Sequence, residues 1–360
     1  MKYSVNIGKV AGIRIFLHWT FLILIGWIIM LNLRANMGWA DILWSLALIA
    51  CIFACITAHE LGHALVAKRF DIKTQDITLL PIGGLARLDV IPERPKEELL
   101  ITLAGPAVNL AIAVALYPLV LLNPDMPDFA EMESIGAENF IPALMSINIW
   151  LAVFNLIPAF PMDGGRAFRA LLAFRIGQVK ATRIAASVGQ ILAMVFVFAG
   201  FWLNPFLIFI GLFIFLGAQS EAAVVETRFI LKGHTVRDVL MREVPTMEDN
   251  ASMKDAAARL LNSQNKNFLV LREGNPLGTV TREDIIRALR THGEKASVKY
   301  AIDQKLEYLS MGMPLDKAWT KMQRDKKPMM LVVDDGQLKG AVDEESIEEL
   351  ILIHTAQSQN

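Results

Sequence analysis

The chain has 360 residues, a formal net charge of −1 and 54% hydrophobic residues. This apolar fraction is too high for an ordinary soluble protein, and the near-zero charge gives no reason to expect a nucleic-acid partner. The long apolar runs are concentrated in residues 1–225, whereas residues 226–360 are rich in charge and predict a soluble part.

Six apolar runs in the first part are long enough to predict transmembrane helices. The first run is followed by further spans and lacks a small-residue cleavage site, so we expect it to stay in the membrane. Cys51 and Cys55 lie one turn apart in the second run, and we interpret them as small packing residues rather than a disulfide or extra metal ligands. The runs cover about 13–33, 42–67, 99–122, 140–157, 184–203 and 205–222.

The second run carries His59, Glu60 and His63 in the pattern H-E-x-x-H. On a helix, both imidazoles lie on one face and can reach one Zn²⁺, with Glu60 beside them as a candidate general base. At about 1.5 Å per residue, His59 lies roughly 13 Å before Lys68, so the metal would lie below the membrane surface. A catalytic zinc site needs a third protein ligand, which must come from elsewhere in the chain.

Residues 71–90 are too short and too rich in Gly and Pro for a span, and they predict a β-hairpin or re-entrant loop around Gly83 and Gly84. Such backbone lies at membrane depth only where protein, water or another extended chain satisfies its hydrogen bonds. An extended substrate could therefore add to its edge, and the alternative is a plain packing loop. In the third run, Asn109 needs a polar partner, either in the protein or at the site.

The fourth run, about 140–157, contains Asn155 near its end, and the prolines and the glycine pair that follow break the helix near Asp163. A carboxylate near the membrane edge is costly unless it is paired or binds a metal. Asp163 is therefore the leading candidate for the third ligand, and the alternative is an exposed turn or helix cap.

Lysine and arginine accumulate in the loops on one side, which predicts that both termini are cytoplasmic. The opposite side contains Arg34 and a loop, 123–139, with five acidic residues and no basic one. With this topology, the His motif and Asp163 both lie toward the cytoplasmic side and can meet. The cytoplasmic basic residues are Lys2, Lys9, Arg14, Lys68, Arg69, Lys73, Arg87, Arg94, Lys96, Arg166, Arg169, Arg175, Lys180 and Arg183.

The first 225 residues resemble the site-2 protease family of intramembrane zinc metalloproteases. The resemblance rests on the motif 59–63, the glycine pair 83–84, Ala-Gly-Pro-Ala-Val-Asn at 104–109 and the run from Asn155 to Arg166. It implies one Zn²⁺ per chain held by His59, His63 and Asp163, with Glu60 activating water. It also implies that Asn155 polarises or positions the scissile carbonyl and that Gly83 and Gly84 lie in a sheet that receives substrate; we add Asn109 as a candidate substrate-binding residue.

A pattern of helix, strand, strand and helix occurs twice in the soluble part, which resembles a tandem pair of CBS domains at 234–292 and 297–353, after a connector at 226–233. The resemblance implies that ATP or another adenine nucleotide binds at Gly278, Thr281 and Asp284. The second copy has Asp343 and Ser346 at the corresponding positions, so we expect one nucleotide site at most. The alternatives are a ligand-free dimerising pair, and Thr281 acting only as a helix N-cap.

The predicted fold is a polytopic α-helical membrane protein, with six transmembrane helices and a small membrane-associated β-hairpin or sheet, followed by an α/β CBS pair. The predicted function is hydrolysis of a peptide bond in or near the transmembrane segment of a membrane-anchored protein, tuned by adenine nucleotide. The expected partners are that substrate, the lipid bilayer of the cell membrane and a second copy bound through the CBS domains. One alternative is a metal-ion transporter or channel, and another is an inactive scaffold, which the intact set of His59, Glu60, His63 and Asp163 disfavours.

Overall fold

The computed structural model describes residues 4–81, 83–88, 92, 94–122, 135–263 and 265–358. The chain divides into two compact units, Met1–Val225 and Glu226–Asn360. Most of the acidic loop predicted at 123–139 lies outside the described residues.

Helices make up most of the first unit. Within the described residues they are α1 (Phe21–Arg34), α2 (Trp39–Lys68), α3 (Pro95–Leu121), α4 (Phe140–Asn155), α5 (Asp163–Ile176), α6 (Gln178–Gly200) and α7 (Phe206–Leu231). Helix α3 packs against α2, α4 and α5, which places it at the centre of this unit.

Four of the described helices, α2, α3, α6 and α7, are long and apolar enough to cross a membrane. The prediction of six spanning helices is therefore not confirmed for the other two. Helices α1 and α4 have 14 and 16 residues, or about 21 and 24 Å, which is less than the roughly 30 Å of a hydrocarbon core. The first apolar run is interrupted because Ile13–His18 forms a strand, in which Ile13 and Ile15 are buried and Arg14 is exposed. That alternation favours a strand over a helix.

Two strands before the first two helices and two strands after them form one four-stranded sheet. Its order is β1-β2-β3-β4, with β1 (Ser4–Val10), β2 (Ile13–His18), β3 (Thr74–Leu80) and β4 (Gly83–Leu88). The pairs β1/β2 and β3/β4 are antiparallel, and β2/β3 is parallel. The hairpin expected at 71–90 is thus β3 and β4, extended by two N-terminal strands, and β4 forms one edge of the sheet.

The sheet packs on the helix that carries the His motif. Ile15, Ile77 and Leu79 of the sheet form one buried cluster with Phe53 and Ala64 of α2. This packing places the edge strand β4 beside the second half of α2.

The second unit contains two three-stranded sheets, β5-β6-β7 and β10-β9-β8. The first copy comprises β5 (Thr246–Glu248), α8 (Met253–Asn262), β6 (Asn267–Arg272), β7 (Asn275–Thr281) and α9 (Arg282–His292). The second comprises β8 (Tyr308–Ser310), α10 (Leu315–Asp325), β9 (Met329–Asp334), β10 (Gln337–Asp343) and α11 (Glu344–Ser358). Each copy therefore has the predicted helix-strand-strand-helix order plus one short leading strand.

The segment that precedes each copy forms hydrogen bonds with the last strand of the other copy. Met241 and Ala341 exchange backbone hydrogen bonds of 2.9 and 3.1 Å, and Thr279 and Asp303 do so at 3.0 and 2.9 Å. Each exchange joins the leading segment of one copy to the last strand of the other. The cores are therefore shared, and neither half of this unit is complete without the other.

Candidate metal centre

Three predicted ligand side chains converge in the first unit. His59 and His63 lie one turn apart on α2, and Asp163 is the first residue of α5. Nε2 of His59 lies 3.1 Å from Nε2 of His63, and each of these atoms lies 3.1 Å from Oδ2 of Asp163. The fold thus brings together residues that are a hundred positions apart in the chain.

A compact turn between α4 and α5 places Asp163. Its residues Ala159 and Phe160 are fully buried, and Met162 is nearly so. The guanidinium of Arg169, one and a half turns further along α5, lies over the ring of Phe160 at 5.2 Å. The turn is therefore held by packing on both sides, which holds the carboxylate toward α2.

The outer nitrogens of both imidazoles have acceptors. Nδ1 of His63 donates to the carbonyl of Ile101 at 2.7 Å, and Nδ1 of His59 donates to Oδ1 of Asn109 at 2.5 Å. A backbone carbonyl only accepts hydrogen bonds, so Nδ1 of His63 carries the proton and its Nε2 presents a lone pair. The same holds for His59 when Oδ1 of Asn109 faces it.

The three side chains fit a zinc ion. Two imidazole nitrogens and one carboxylate oxygen point their lone pairs at a common centre, where they would repel one another without a cation. Tetrahedral zinc with ligand distances of about 2.0–2.1 Å requires ligand atoms about 3.3 Å apart, close to the observed spacing. These are also the ligand types of catalytic zinc sites with three protein ligands.

Gly105 on α3 closes one side of this centre and was not singled out as a site residue. A Cβ atom there would lie 2.2 Å from Nε2 of His63 and 2.6 Å from Nε2 of His59. The sequence signal was the Gly-Pro pair inside the third apolar run, which entered the prediction only as part of the resemblance at 104–109.

A cavity of about 400 Å³ opens onto the three ligands. Glu60, Asn155, Gly83 and Gly84 line it, together with Arg166. Nδ2 of Asn155 donates one hydrogen bond to the carbonyl of Leu151 at 2.9 Å, and its second N–H has no acceptor among the described residues. The structure therefore brings the predicted base, the predicted carbonyl-binding residue and the glycine pair of β4 to one cavity.

Asn109 does not line this cavity, which differs from the prediction that it binds substrate. It is fully buried behind His59, accepts from Nδ1 of that residue and donates to Oδ1 of Asn148 at 2.8 Å. Its position favours a role in orienting the imidazole. Asn148 itself was not predicted, although a buried Asn within an apolar helix is a recognisable signal.

A buried ion-pair network lies beside the site and was also missed. Arg169 donates from Nε to Oε1 of Glu98 at 2.7 Å and from Nη1 to Oε1 of Glu221 at 3.1 Å. Its side chain is only 1% exposed, and Arg166 also pairs with Glu221 at 3.5 Å. Both arginines were predicted only as charges of a cytoplasmic loop, because their acidic partners lie far away in the chain.

The predicted nucleotide-binding residues serve the fold of the second unit. Thr281 caps α9: its Oγ1 accepts from the backbone N–H of Asp284, whose carboxylate accepts from the backbone N–H of Thr281. Thr281 is therefore the N-cap of α9, as expected from its position before this helix. A Cβ on Gly278 would lie 2.5 Å from the carbonyl of Asp303, so the exchanged segment explains this glycine.

The corresponding acid of the second copy is buried at the contact between the copies. Asp343 accepts from Nδ2 of Asn267 at 2.8 Å and from the backbone N–H of Glu345 at 3.0 Å. Burial raises the pKa of the Asp343 carboxyl. This residue has structural partners in place of a ligand.

Comparison with known proteins places the chain in a family. The model described as peptidase family M50 matches residues 47–125 and 124–198, and the CBS domain model matches residues 236–291. A zinc metalloprotease of Methanocaldococcus jannaschii is 32% identical over 348 residues, which are 96% of each chain. Stage IV sporulation protein FB of Bacillus subtilis is 30% identical over 135 residues, 37% of this chain and 43% of its own length.

Among solved structures, the site-2 protease of Methanocaldococcus jannaschii is 37% identical and covers 61% of this chain and 95% of its own, with a TM-score of 0.45. The peptidase family match and the zinc metalloprotease that matches 96% of the chain do not favour the alternative of a metal-ion transporter or channel. The chain belongs to the M50, or site-2 protease, family and is a membrane zinc metalloprotease that carries a CBS domain.

Proposed function

We propose that this protease hydrolyses a peptide bond in or near the transmembrane segment of a membrane-anchored protein. The observation that supports this most is the placement of the base: Glu60 lines the cavity that opens onto His59, His63 and Asp163, and α2, which carries the motif, is long and apolar enough to cross a membrane. The reacting bond must therefore reach a site within the helical part of the chain.

We propose His59, His63 and Asp163 as the ligands of one zinc ion. When bound there, zinc lowers the pKa of water to about 7 and polarises the scissile carbonyl. Glu60 accepts a proton from the attacking water at its carboxylate and transfers it to the leaving amide nitrogen. Asn155 donates its free Nδ2 hydrogen to the carbonyl oxygen as negative charge develops there.

The substrate binds as an added strand on β4. Gly83 and Gly84 lie at the start of this edge strand and line the cavity, so an extended segment paired with them passes beside Glu60. Edge strands offer unpaired backbone groups to such a segment. A helical substrate must unwind locally first, because its carbonyls are occupied by helix hydrogen bonds.

We place both termini and the CBS domains in the cytoplasm. Lys68, Arg69 and Lys73 follow the His motif directly, and this clustering supports a cytoplasmic end of α2 under the positive-inside rule.

ATP or another adenine nucleotide binds the CBS pair at Gly278, Thr281 and Asp284 and regulates the rate of proteolysis. Two molecules of the protease associate through these domains. The CBS family match supports this part of the proposal. Binding must compete with the capping contacts of Thr281 and Asp284. Equilibrium binding of ATP to the full chain tests it: Asp284→Ala should weaken binding at least tenfold, and unchanged binding would reject the site.

The main experiment compares the wild type with Glu60→Gln in membranes that contain a candidate single-span substrate. Loss of the general base should reduce cleavage by about 10²–10⁴-fold, with one zinc per chain retained in metal analysis. Glu294→Gln, at an exposed position of the second unit, is the matched control and should cleave normally. Cleavage by Glu60→Gln at the wild-type rate would reject Glu60 as the general base.

A further inference from the structure

A chain of three hydrogen bonds links the first zinc-facing imidazole to two other helices. Nδ1 of His59 on α2 contacts Oδ1 of Asn109 on α3 at 2.5 Å, and Nδ2 of Asn109 contacts Oδ1 of Asn148 on α4 at 2.8 Å. Nδ2 of Asn148 then donates to the carbonyl of Leu144 at 2.8 Å. Both asparagines are fully buried, so water does not replace any of these partners.

The hydrogen bond from Asn148 to the carbonyl of Leu144 determines which group donates in the other two hydrogen bonds. The carbonyl of Leu144 can only accept, so the amide nitrogen of Asn148 must face it, and the amide oxygen of Asn148 must face Asn109. Asn109 must therefore turn its nitrogen toward Asn148 and its oxygen toward His59. His59 must then carry its proton on Nδ1 and present an unprotonated Nε2 to His63 and Asp163.

His63 needs no such chain, because its Nδ1 donates directly to the carbonyl of Ile101. The two imidazoles thus reach the same tautomer by different routes. His59 depends on an amide that has two possible orientations, and only one of them supports metal binding. The group that removes this ambiguity is the side chain of Asn148, two helices away from the metal-facing atoms.

We propose that Asn148 is a positioning residue for the metal centre, which through Asn109 holds His59 in the tautomer that binds zinc. The inference rests on the proposed ligand set. Partners of metal-bound histidines typically change metal affinity by 10–100-fold when they are removed. The alternative role is a polar contact that only joins α3 and α4, which would affect stability and leave zinc affinity unchanged.

The test measures zinc affinity by chelator competition on the full-length protein in detergent. Asn148→Leu keeps the approximate shape but offers no acceptor, so Asn109 can rotate its nitrogen toward His59. We expect zinc to bind 10–100-fold more weakly, with the α-helix content of the wild type. Wild-type zinc affinity in folded Asn148→Leu would overturn the proposal.

A rescue distinguishes positioning from simple packing. In Asn109→Asp combined with Asn148→Leu, either carboxylate oxygen accepts from His59, so the orientation at position 109 no longer matters. Zinc affinity should return to within about threefold of the wild type, far from the 10–100-fold loss of the single variant. A folded double variant that binds zinc at least tenfold more weakly than the wild type would contradict the positioning role, and this comparison with the wild type does not require Asn148→Leu alone to fold.

Two controls separate this inference from the ligand set. Nδ2 of Asn148 also contacts Sγ of Cys55 at 3.4 Å. Cys55→Ala removes this contact but leaves the hydrogen bonds to His59 intact, so zinc affinity should stay at the wild-type value. A loss equal to that of Asn148→Leu would contradict the proposed chain of hydrogen bonds. His59→Ala should abolish tight zinc binding, and tight binding by this variant would reject the ligand set itself.

Discussion

Gly84 lies directly against the side chain of Glu60. A Cβ atom on Gly84 would lie 2.6 Å from Cγ of Glu60 and 3.0 Å from its Oε1. Gly84, which lines the cavity at the start of β4, therefore also limits the space in which the proposed base can lie.

Gly84→Ala should lower the rate of cleavage without loss of zinc. The new methyl group would displace the Glu60 carboxylate, and a displacement on the order of 1 Å in a reacting group can cost about 10²-fold in rate. The measurement is kcat for a fixed substrate, with zinc content as a second readout. Gly26→Ala on α1, where nothing lies within 4 Å of the added atom, is the control; equal rates for the two variants would refute the contact's importance.

Gly105→Ala should abolish zinc binding and make the apoprotein less stable than the wild type. The added carbon would occupy the space of the imidazole nitrogens, and overpacking of about 1–3 kcal/mol exceeds the roughly 1 kcal/mol by which alanine is favoured over glycine inside a helix. Metal analysis and thermal melting of the apoprotein check the two parts separately. A variant that binds one zinc with wild-type affinity would show that the ligands lie elsewhere.

Arg169→Met should destabilise the first unit by about 3–5 kcal/mol, because it leaves the Glu98 carboxylate buried without its partner. Adding Glu98→Gln should recover much of this loss by removing the unpaired charge. The comparison uses denaturant unfolding in detergent. Arg175→Met, at an exposed position on the same helix, should change stability by no more than about 0.5 kcal/mol; an equal loss there would mean that the buried pair is not the cause.

Asp303 should make the second unit sensitive to acid. Burial alone would raise the pKa of its carboxyl, but the hydrogen bonds from Lys327 and from the backbone N–H of Lys305 outweigh burial and lower it. Since the folded-state pKa is depressed, the stabilisation is present above the unfolded value of about 3.9 and is lost as pH falls through the folded-state pKa.

The Asp303→Asn variant provides the measurement. Its second unit should melt below the wild type at pH 6, and the difference should shrink as pH is lowered past about 4. Asp335→Asn, in an exposed turn, should follow the wild type throughout. A difference between Asp303→Asn and the wild type that does not depend on pH would contradict this origin.

Local patterns in the sequence were sufficient to predict much of the site. The spacing of His59 and His63 by one helical turn predicted their shared face, and the cost of a carboxylate near the membrane pointed to Asp163. The helix-breaking prolines after Asn155 indicated where the fourth apolar helix would end. Each of these features depends on neighbours within a few positions, which a single sequence displays.

Other features depend on partners that only the folded chain brings together. The strand at 13–18 was assigned to a span because of its apolar content, whereas in the folded chain it pairs with both β1 and β3. Distant positions are joined by the hydrogen-bond chain from Asn148, by the packing of Gly105 against the imidazoles, by the pairing of Arg169 with Glu98 and Glu221, and by the exchange of segments between the two copies of the second unit. The sequence by itself determined the chemistry of the zinc centre, since the ligand types and their helical spacing can be read from it. Tertiary packing decided which groups orient the ligand side chains, because contacts between helices set that orientation.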